Sequence, residues 1–390
     1  MLIAAAGIVP ATGDGLVLRP GYVACARGRI MQVGAGQPPA RPDVRLGAGL
    51  LLPGLVDLQV NGYFGEELQT AGADGWAAVA SRLPRTGATA FLPTFITRPF
   101  GDMISALRRA AGIAPALAAG DGAARVLGIH LEGPFISQVR SGAHNPAWTR
   151  DPGPALIDAL LAAGSGLVRV VTLAPERAGA MAAIGQLTGA GALVSVGHSD
   201  ASASQVKAAA DGGARMVTHL FNAQRPMHHR EPGVVGQALA DSRLTSGLIG
   251  DLRHVSGQVA AIAFAAAPGR ICLVTDAAAC AGMPPGRYVL GDQPIELGPQ
   301  DGEPPVRADG TLAGSVLRMD AAIANMVSAG VGLVESVTAA TRIPADLIGR
   351  PDLGRIETGA AADLTWVGDD LRAKATWIGG TQVYGEPVLR

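Results

Sequence analysis

Short apolar, β-branched runs alternate with Ala- and Leu-rich segments of helical period through the middle of the chain. The runs are LLPGLVDLQV, ATAFLPTF, RVLGIHLE, GLVRVVTLAP, ALVSVGHS, ARMVTHLF, TSGLIGD and RICLVTD. Each is too short for a helix and too continuously apolar for a sheet with one wet face, so each reads as a strand buried on both sides. About eight strand–helix units predict a closed parallel (β/α)8, TIM-like barrel over residues 53–354. The ends of the chain have another rhythm. Residues 1–52 and 355–390 are short β-like stretches separated by turns, and neither block can bury a core alone. Together they predict one small β-sandwich domain that brings the two termini side by side.

In such barrels the chemistry sits at the C-terminal ends of the strands. The third run ends in Glu132, the fifth in His198, the sixth in His219 and the eighth in Asp276. A lone histidine at a strand end is ordinarily a capped or core residue. Here all 7 histidines lie between His130 and His254, none in either terminal block, and several stand where strands end. Two imidazoles and one carboxylate converging at the mouth suit zinc, with positions left open for water or substrate. Asp276, arriving from the other side, is placed to act as general base toward that water. His130 lies deeper in its strand and reads as structural.

The first run closes with Gln59-Val60-Asn61, where a two-metal hydrolase would carry His-x-His. Neutral amides are poor zinc ligands but can hold water. The expectation is one divalent ion per chain, with Gln59 and Asn61 as water-holding neighbours.

Composition narrows the picture without changing it. A formal net charge of −1 gives no bulk attraction for nucleic acid or a membrane surface. Three cysteines at wide spacing are neither a disulfide framework nor a metal pair. With no basic leader and no apolar run of about 20 residues, the expectation is a cytoplasmic protein.

The segments PGLVDLQVNG, HLEGPFI, GAHNP, VGHSDA, THLFNA, REPG, LVTDA and GTLAGS occur in this order. That combination resembles the N-acetylglucosamine-6-phosphate deacetylase family of the amidohydrolase superfamily, from about Pro53 to Gly359. The resemblance implies hydrolysis of an acetamide on an amino-sugar phosphate, with Glu132, His198 and His219 as metal ligands and Asp276 as catalytic base and acid. It implies His144 beside the substrate carbonyl, and Asn222 and Ala223 on the sugar phosphate. Arg230 and His254 match phosphate-binding positions, and Ala143, Leu312, Ala313 and Gly314 match further pocket-lining ones. It also implies a homodimer whose partner completes the phosphate pocket. The family usually reads Ala-Asp-Gly-x-His-Val before the seventh helix, whereas this chain reads Gly250-Asp251-Leu252-Arg253-His254-Val255. Leucine takes positive φ at a steric cost, so a reshaped loop is predicted there. Two other readings stand beside the deacetylase: an amidohydrolase for another acetamido sugar or an N-acyl amino acid, and a barrel scaffold without catalysis.

Overall fold

The computed structural model describes residues 1–118 and 122–386; residues 387–390, the end of the predicted second β block, lie outside it. All eight apolar runs form strands of one parallel barrel: β1 (Leu55–Val60), β2 (Ala88–Ile96), β3 (Ile129–Glu132), β4 (Val168–Leu173), β5 (Leu193–Val196), β6 (Met216–Val217), β7 (Thr245–Ile249) and β8 (Ile271–Val274). Each pairs with its neighbour in sequence. The ring closes where Asp276 N–H donates to Gln59 O (2.9 Å) and Asn61 N–H donates to Ala277 O (2.9 Å). Every residue of β1 and β2 is buried, which is why these strands carry apolar runs instead of alternation.

Helices α1 (Ala73–Arg82), α2 (Phe100–Leu117), α3 (Pro154–Gly164), α4 (Ala180–Gly189), α5 (Ala203–Asp211), α6 (Gly233–Ala240), α7 (Gly257–Ala266) and α8 (Met319–Ser328) follow the eight strands in turn. Helix α5 starts in a capping box, with Ser202 accepting from Gln205 N–H and the Gln205 amide oxygen accepting from Ser202 N–H. That fixes its first turn only a few residues after His198.

The terminal blocks form two sheets. One contains Leu2–Ala5, Gly21–Ala26, Arg29–Ala35 and Val44–Arg45; the other joins Leu50–Pro53 to Leu364–Val367, Ala373–Ile378 and Thr381–Tyr384. They share an apolar core that includes Ile3, Val23, Ile30, Leu51, Leu364 and Trp377, drawn from both ends of the chain. The chain passes into the barrel at Gly54, where a Cβ would lie 2.1 Å from Thr89 Oγ1, so only glycine fits.

The sequence reading did not anticipate an antiparallel hairpin, Gly286–Leu290 with Gln293–Leu297, inserted after β8. Its tip is fastened to the barrel: Gly291 N–H donates to Glu67 Oε1 (2.8 Å), and Arg98, paired with Glu67, donates to Gly291 O (3.0 Å). Leu290, Ile295 and Leu297 pack with Ile96 and Ala313 in a separate apolar cluster.

Candidate metal centre and active site

Strand ends deliver the side chains as expected. Glu132 Oε1 lies 3.0 Å from His219 Nε2 and 3.3 Å from His198 Nε2, and the two imidazole nitrogens lie 3.0 Å apart. A neutral imidazole carries one N–H, so this Nε2–Nε2 contact is a hydrogen bond only where one of the two rings keeps its proton on Nε2. The His198 ring donates Nδ1–H to Arg140 O (3.0 Å), so its neutral form presents a bare lone pair at Nε2. Glu132, His198 and His219 each offer a ligand atom here, and the ligating atoms of all three residues fall within 4.8 Å of one another. This is the donor set of a cation site, and these residues fit a divalent metal.

Burial would raise the Glu132 carboxyl, yet hydrogen bonds with His144, His198 and His219 hold it well below the usual carboxylate range. Asp276 behaves oppositely: burial and the nearby Glu132 charge push it up to about 6. Its Oδ1 accepts from Asn61 Nδ2 (2.7 Å) and Gln59 Nε2 (3.1 Å), and Gln59 Nε2 also donates to Glu132 Oε1 (2.9 Å). Carboxylates only accept, so both amides must turn their NH₂ groups toward them. The amide oxygens, Gln59 Oε1 and Asn61 Oδ1, are left buried without a protein partner. The space a His-x-His pair would use for a second metal therefore holds two amide donors.

His144 is set by its far side. Thr97 N–H donates to His144 Nδ1 (3.3 Å), and Thr97 Oγ1 lies 2.9 Å from the same nitrogen. With Nδ1 accepting, the neutral ring carries its proton on Nε2, which faces Glu132 Oε2 at 3.6 Å. Burial and the neighbouring His198 push His144 down to about 4, so it stays neutral. His130 is structural: it sits between Leu58 O (3.2 Å) and Thr172 Oγ1 (2.7 Å), and burial pushes it down to about 4.

A cavity of about 370 Å³ opens over these groups. It is lined by Asn61, Glu132, His144, His198, His219 and Asp276, by Ala143, Asn222, Ala223, His254, Leu312 and Gly314, and by Ile96, Val139, Arg140, Ile249, Leu290 and Thr311. Three predicted residues do not line it, one being Gln59, which is fully buried and reaches Glu132 and Asp276 by its hydrogen bonds. Ala313 is fully buried in the hairpin's apolar cluster. Arg230 is exposed, its guanidinium against His229 Nε2 (2.9 Å), and is not among the lining residues. Sequence reading missed Arg140 and Leu290 as lining residues and Thr97 as the partner of His144. Arg140 alone carried a signal, a basic residue four positions before His144 in QVRSGAH.

The loop after β7 departs from its prediction. Leu252 adopts φ +61°, the left-handed conformation a glycine takes freely. Asp251 Oδ1 accepts from Arg253 N–H (2.9 Å) and His254 N–H (2.8 Å), and Asp251 Oδ2 accepts from His254 Nδ1 (2.6 Å). These bonds hold the turn despite the leucine and keep His254 on the cavity. His198, His219, Phe221, Ala223 and Asp276 also have positive φ. Each such residue costs about 1–3 kcal/mol, a cost typical of sites where neighbours over-determine the backbone.

The amidohydrolase family model matches residues 50–383. The chain belongs to the amidohydrolase family. It is 39% identical over 350 residues to an N-acetylglucosamine-6-phosphate deacetylase of Danio rerio, covering 86% of this chain and 84% of that protein. It is 37% identical over 335 residues to an N-acetylgalactosamine-6-phosphate deacetylase of Escherichia coli O157:H7, covering 85% and 87%. One solved structure of the family is a Mycobacterium smegmatis N-acetyl-D-glucosamine-6-phosphate deacetylase, an aspartate-to-alanine variant in complex with N-acetyl-D-glucosamine-6-phosphate. It superposes with a TM-score of 0.92 at 37% identity, covering 98% of this chain and 99% of that chain.

Proposed function

We propose that this chain hydrolyses N-acetyl-D-glucosamine 6-phosphate to D-glucosamine 6-phosphate and acetate. The observation that carries the reading is the convergence of Glu132, His198 and His219 beside an Asp276 whose basicity burial has raised. Relatives at 37–39% identity over most of the chain point to the acetamido sugar phosphate. A scaffold has no use for a buried carboxylate within about 3.3 Å of two imidazole nitrogens.

Glu132, His198 and His219 would hold one divalent ion, and zinc suits a set of two imidazoles and a carboxylate. Such an ion supplies Lewis-acid chemistry, lowering the pKa of water and polarising a carbonyl. The remaining steps belong to the chain's own atoms. Asp276 Oδ1 is occupied by the Asn61 and Gln59 amides, while Oδ2 bonds to no described residue. Oδ2 therefore takes the proton of the attacking water, and a group near 6 is ionised at neutral pH yet still basic. The same oxygen returns that proton to the leaving nitrogen, which departs as an amine only when protonated. His144 donates from Nε2 to the oxyanion that develops on the acetyl carbonyl.

His254, tied to Asp251 through Nδ1, keeps Nε2 for the 6-phosphate. We assign Arg230 to the same phosphate across the interface of a homodimer, since within one chain it lies on an exposed loop away from the lined cavity. The three cysteines are free and buried, which suits a reducing cytoplasm; no described helix is long and apolar enough to cross a membrane. The relative from Escherichia coli favours a second reading, the 4-epimer N-acetyl-D-galactosamine 6-phosphate. Acetate release measured side by side on the two epimers decides between them: the first reading expects the larger kcat/KM for the glucosamine compound.

A further inference from the structure

Of the three residues assigned to the metal, only His198 draws its ring orientation from a loop carbonyl, that of Arg140. Arg140 ends a short turn, Gln138–Arg140, on which Gln138 and Val139 are exposed, Val139 by 77%. Such a turn needs an anchor to hold a carbonyl in place. The anchor is Asp200, two residues beyond His198. Its Oδ1 accepts from Arg140 Nε (2.8 Å) and its Oδ2 accepts from Arg225 (2.7 Å). Arg225 belongs to the loop after β6, and its N–H donates to Ser199 O (3.1 Å). Ser137 N–H donates to His198 O (2.9 Å), which closes the ring of contacts. One carboxylate thus joins the loops after β3, β5 and β6, the three strands that deliver Glu132, His198 and His219.

We infer that Asp200 is a positioning residue for the metal centre, acting through Arg140 to fix the carbonyl that orients His198. Half-exposed ion pairs contribute little to global stability, so the network's value lies in orientation. Outer partners of ligating histidines of this kind typically govern metal affinity by about 10–100-fold. Asp200 itself touches neither ligating atom nor substrate pocket. Arg140 lines the cavity, and a direct bond to the substrate's phosphate is the competing role.

This inference rests on the assignment of Glu132, His198 and His219 to the metal, and the test separates the two. Zinc affinity is measured by chelator competition on purified, metal-stripped protein: unaltered, Asp200→Asn, Arg140→Met and the double variant. The unaltered chain is expected to take up about one equivalent. Each single variant should weaken zinc binding by about 10–100-fold. The double variant should be no weaker than the worse single, because the two residues act as one unit. The metal-free proteins should melt together. Unchanged zinc affinity in Asp200→Asn, or additive losses in the double variant, would overturn the inference. So would an Arg140→Met protein that keeps its zinc and shows only a raised KM for the phosphorylated sugar. No zinc uptake by the unaltered chain would sink the metal assignment, and this inference with it.

Discussion

Gln59 and Asn61 illustrate what single residues decide at this site. As amides they place donors on Glu132 and Asp276, where imidazoles would have placed lone pairs. That choice occupies one oxygen of Asp276 and leaves the other without a described partner, the oxygen proposed to move the proton. Asp276→Asn keeps the shape but cannot accept a proton. Its kcat is expected to fall by about 10²-fold or more, while elemental analysis still finds the metal; a variant that loses its metal would show Asp276 to be a ligand. His254 lines the same cavity and is the proposed donor to the 6-phosphate, which His254→Ala removes. A charge-assisted bond of about 1.5–3 kcal/mol converts to a loss of about 10- to 100-fold in kcat/KM on the phosphorylated sugar. Turnover of unphosphorylated N-acetylglucosamine should stay as it was, and equal losses on both would refute a phosphate role.

At the scale of elements, the strand ends were readable from sequence because a buried parallel strand is an apolar run, and the ionisable residue that closes it marks the mouth. Glu132, His198, His219 and Asp276 were found in that way. The hairpin at Gly286–Leu297 was not, because its strands alternate in burial and bury their few apolar residues in a small cluster that joins Ile96, far earlier in the chain, to Ala278, Cys280 and Ala313. Thr97 was invisible for the same reason: its bond to His144 spans 47 residues. The loop at Leu252 shows local propensity overruled, since three hydrogen bonds to Asp251 hold a turn that leucine disfavours.

The closure of β8 onto β1 offers an element-scale prediction. Asp57 Oδ1 accepts from Gln59 N–H and Thr275 N–H, and Oδ2 accepts from Thr275 Oγ1 (2.6 Å). Burial pushes this carboxyl up to about 7. A folded pKa above the unfolded value of about 3.9 means that the native state holds the extra proton. The stability Asp57 contributes is therefore present below pH ~4 and is lost as pH rises through about 7. Asp57→Asn cannot titrate. Its Tm relative to the unaltered chain should rise steadily between those limits; a constant difference would refute the assignment.

For the whole molecule, the terminal strands build an apolar core of their own while Leu50, Leu52 and Val367 pack into the barrel's core, and the residues expected to meet the phosphate divide between the cavity and an exposed loop. The homodimer reading makes a prediction of its own. Arg230→Ala and Asp276→Asn chains, each weak alone, should regain activity when mixed and allowed to exchange subunits, because one site in the mixed dimer holds both an intact Asp276 and a partner's arginine. No recovery on mixing would place Arg230 in its own chain's site or outside the chemistry.

The most direct test of the account is acetate release by metal-stripped protein titrated with zinc. N-acetyl-D-glucosamine 6-phosphate should yield equal amounts of acetate and free amine, with activity rising to a plateau at about one equivalent of zinc per chain. The unphosphorylated sugar should turn over far more slowly. A plateau reached only at about two equivalents, or no acetate from the 6-phosphate at any zinc level, would contradict a single-metal deacetylase built on Glu132, His198, His219 and Asp276.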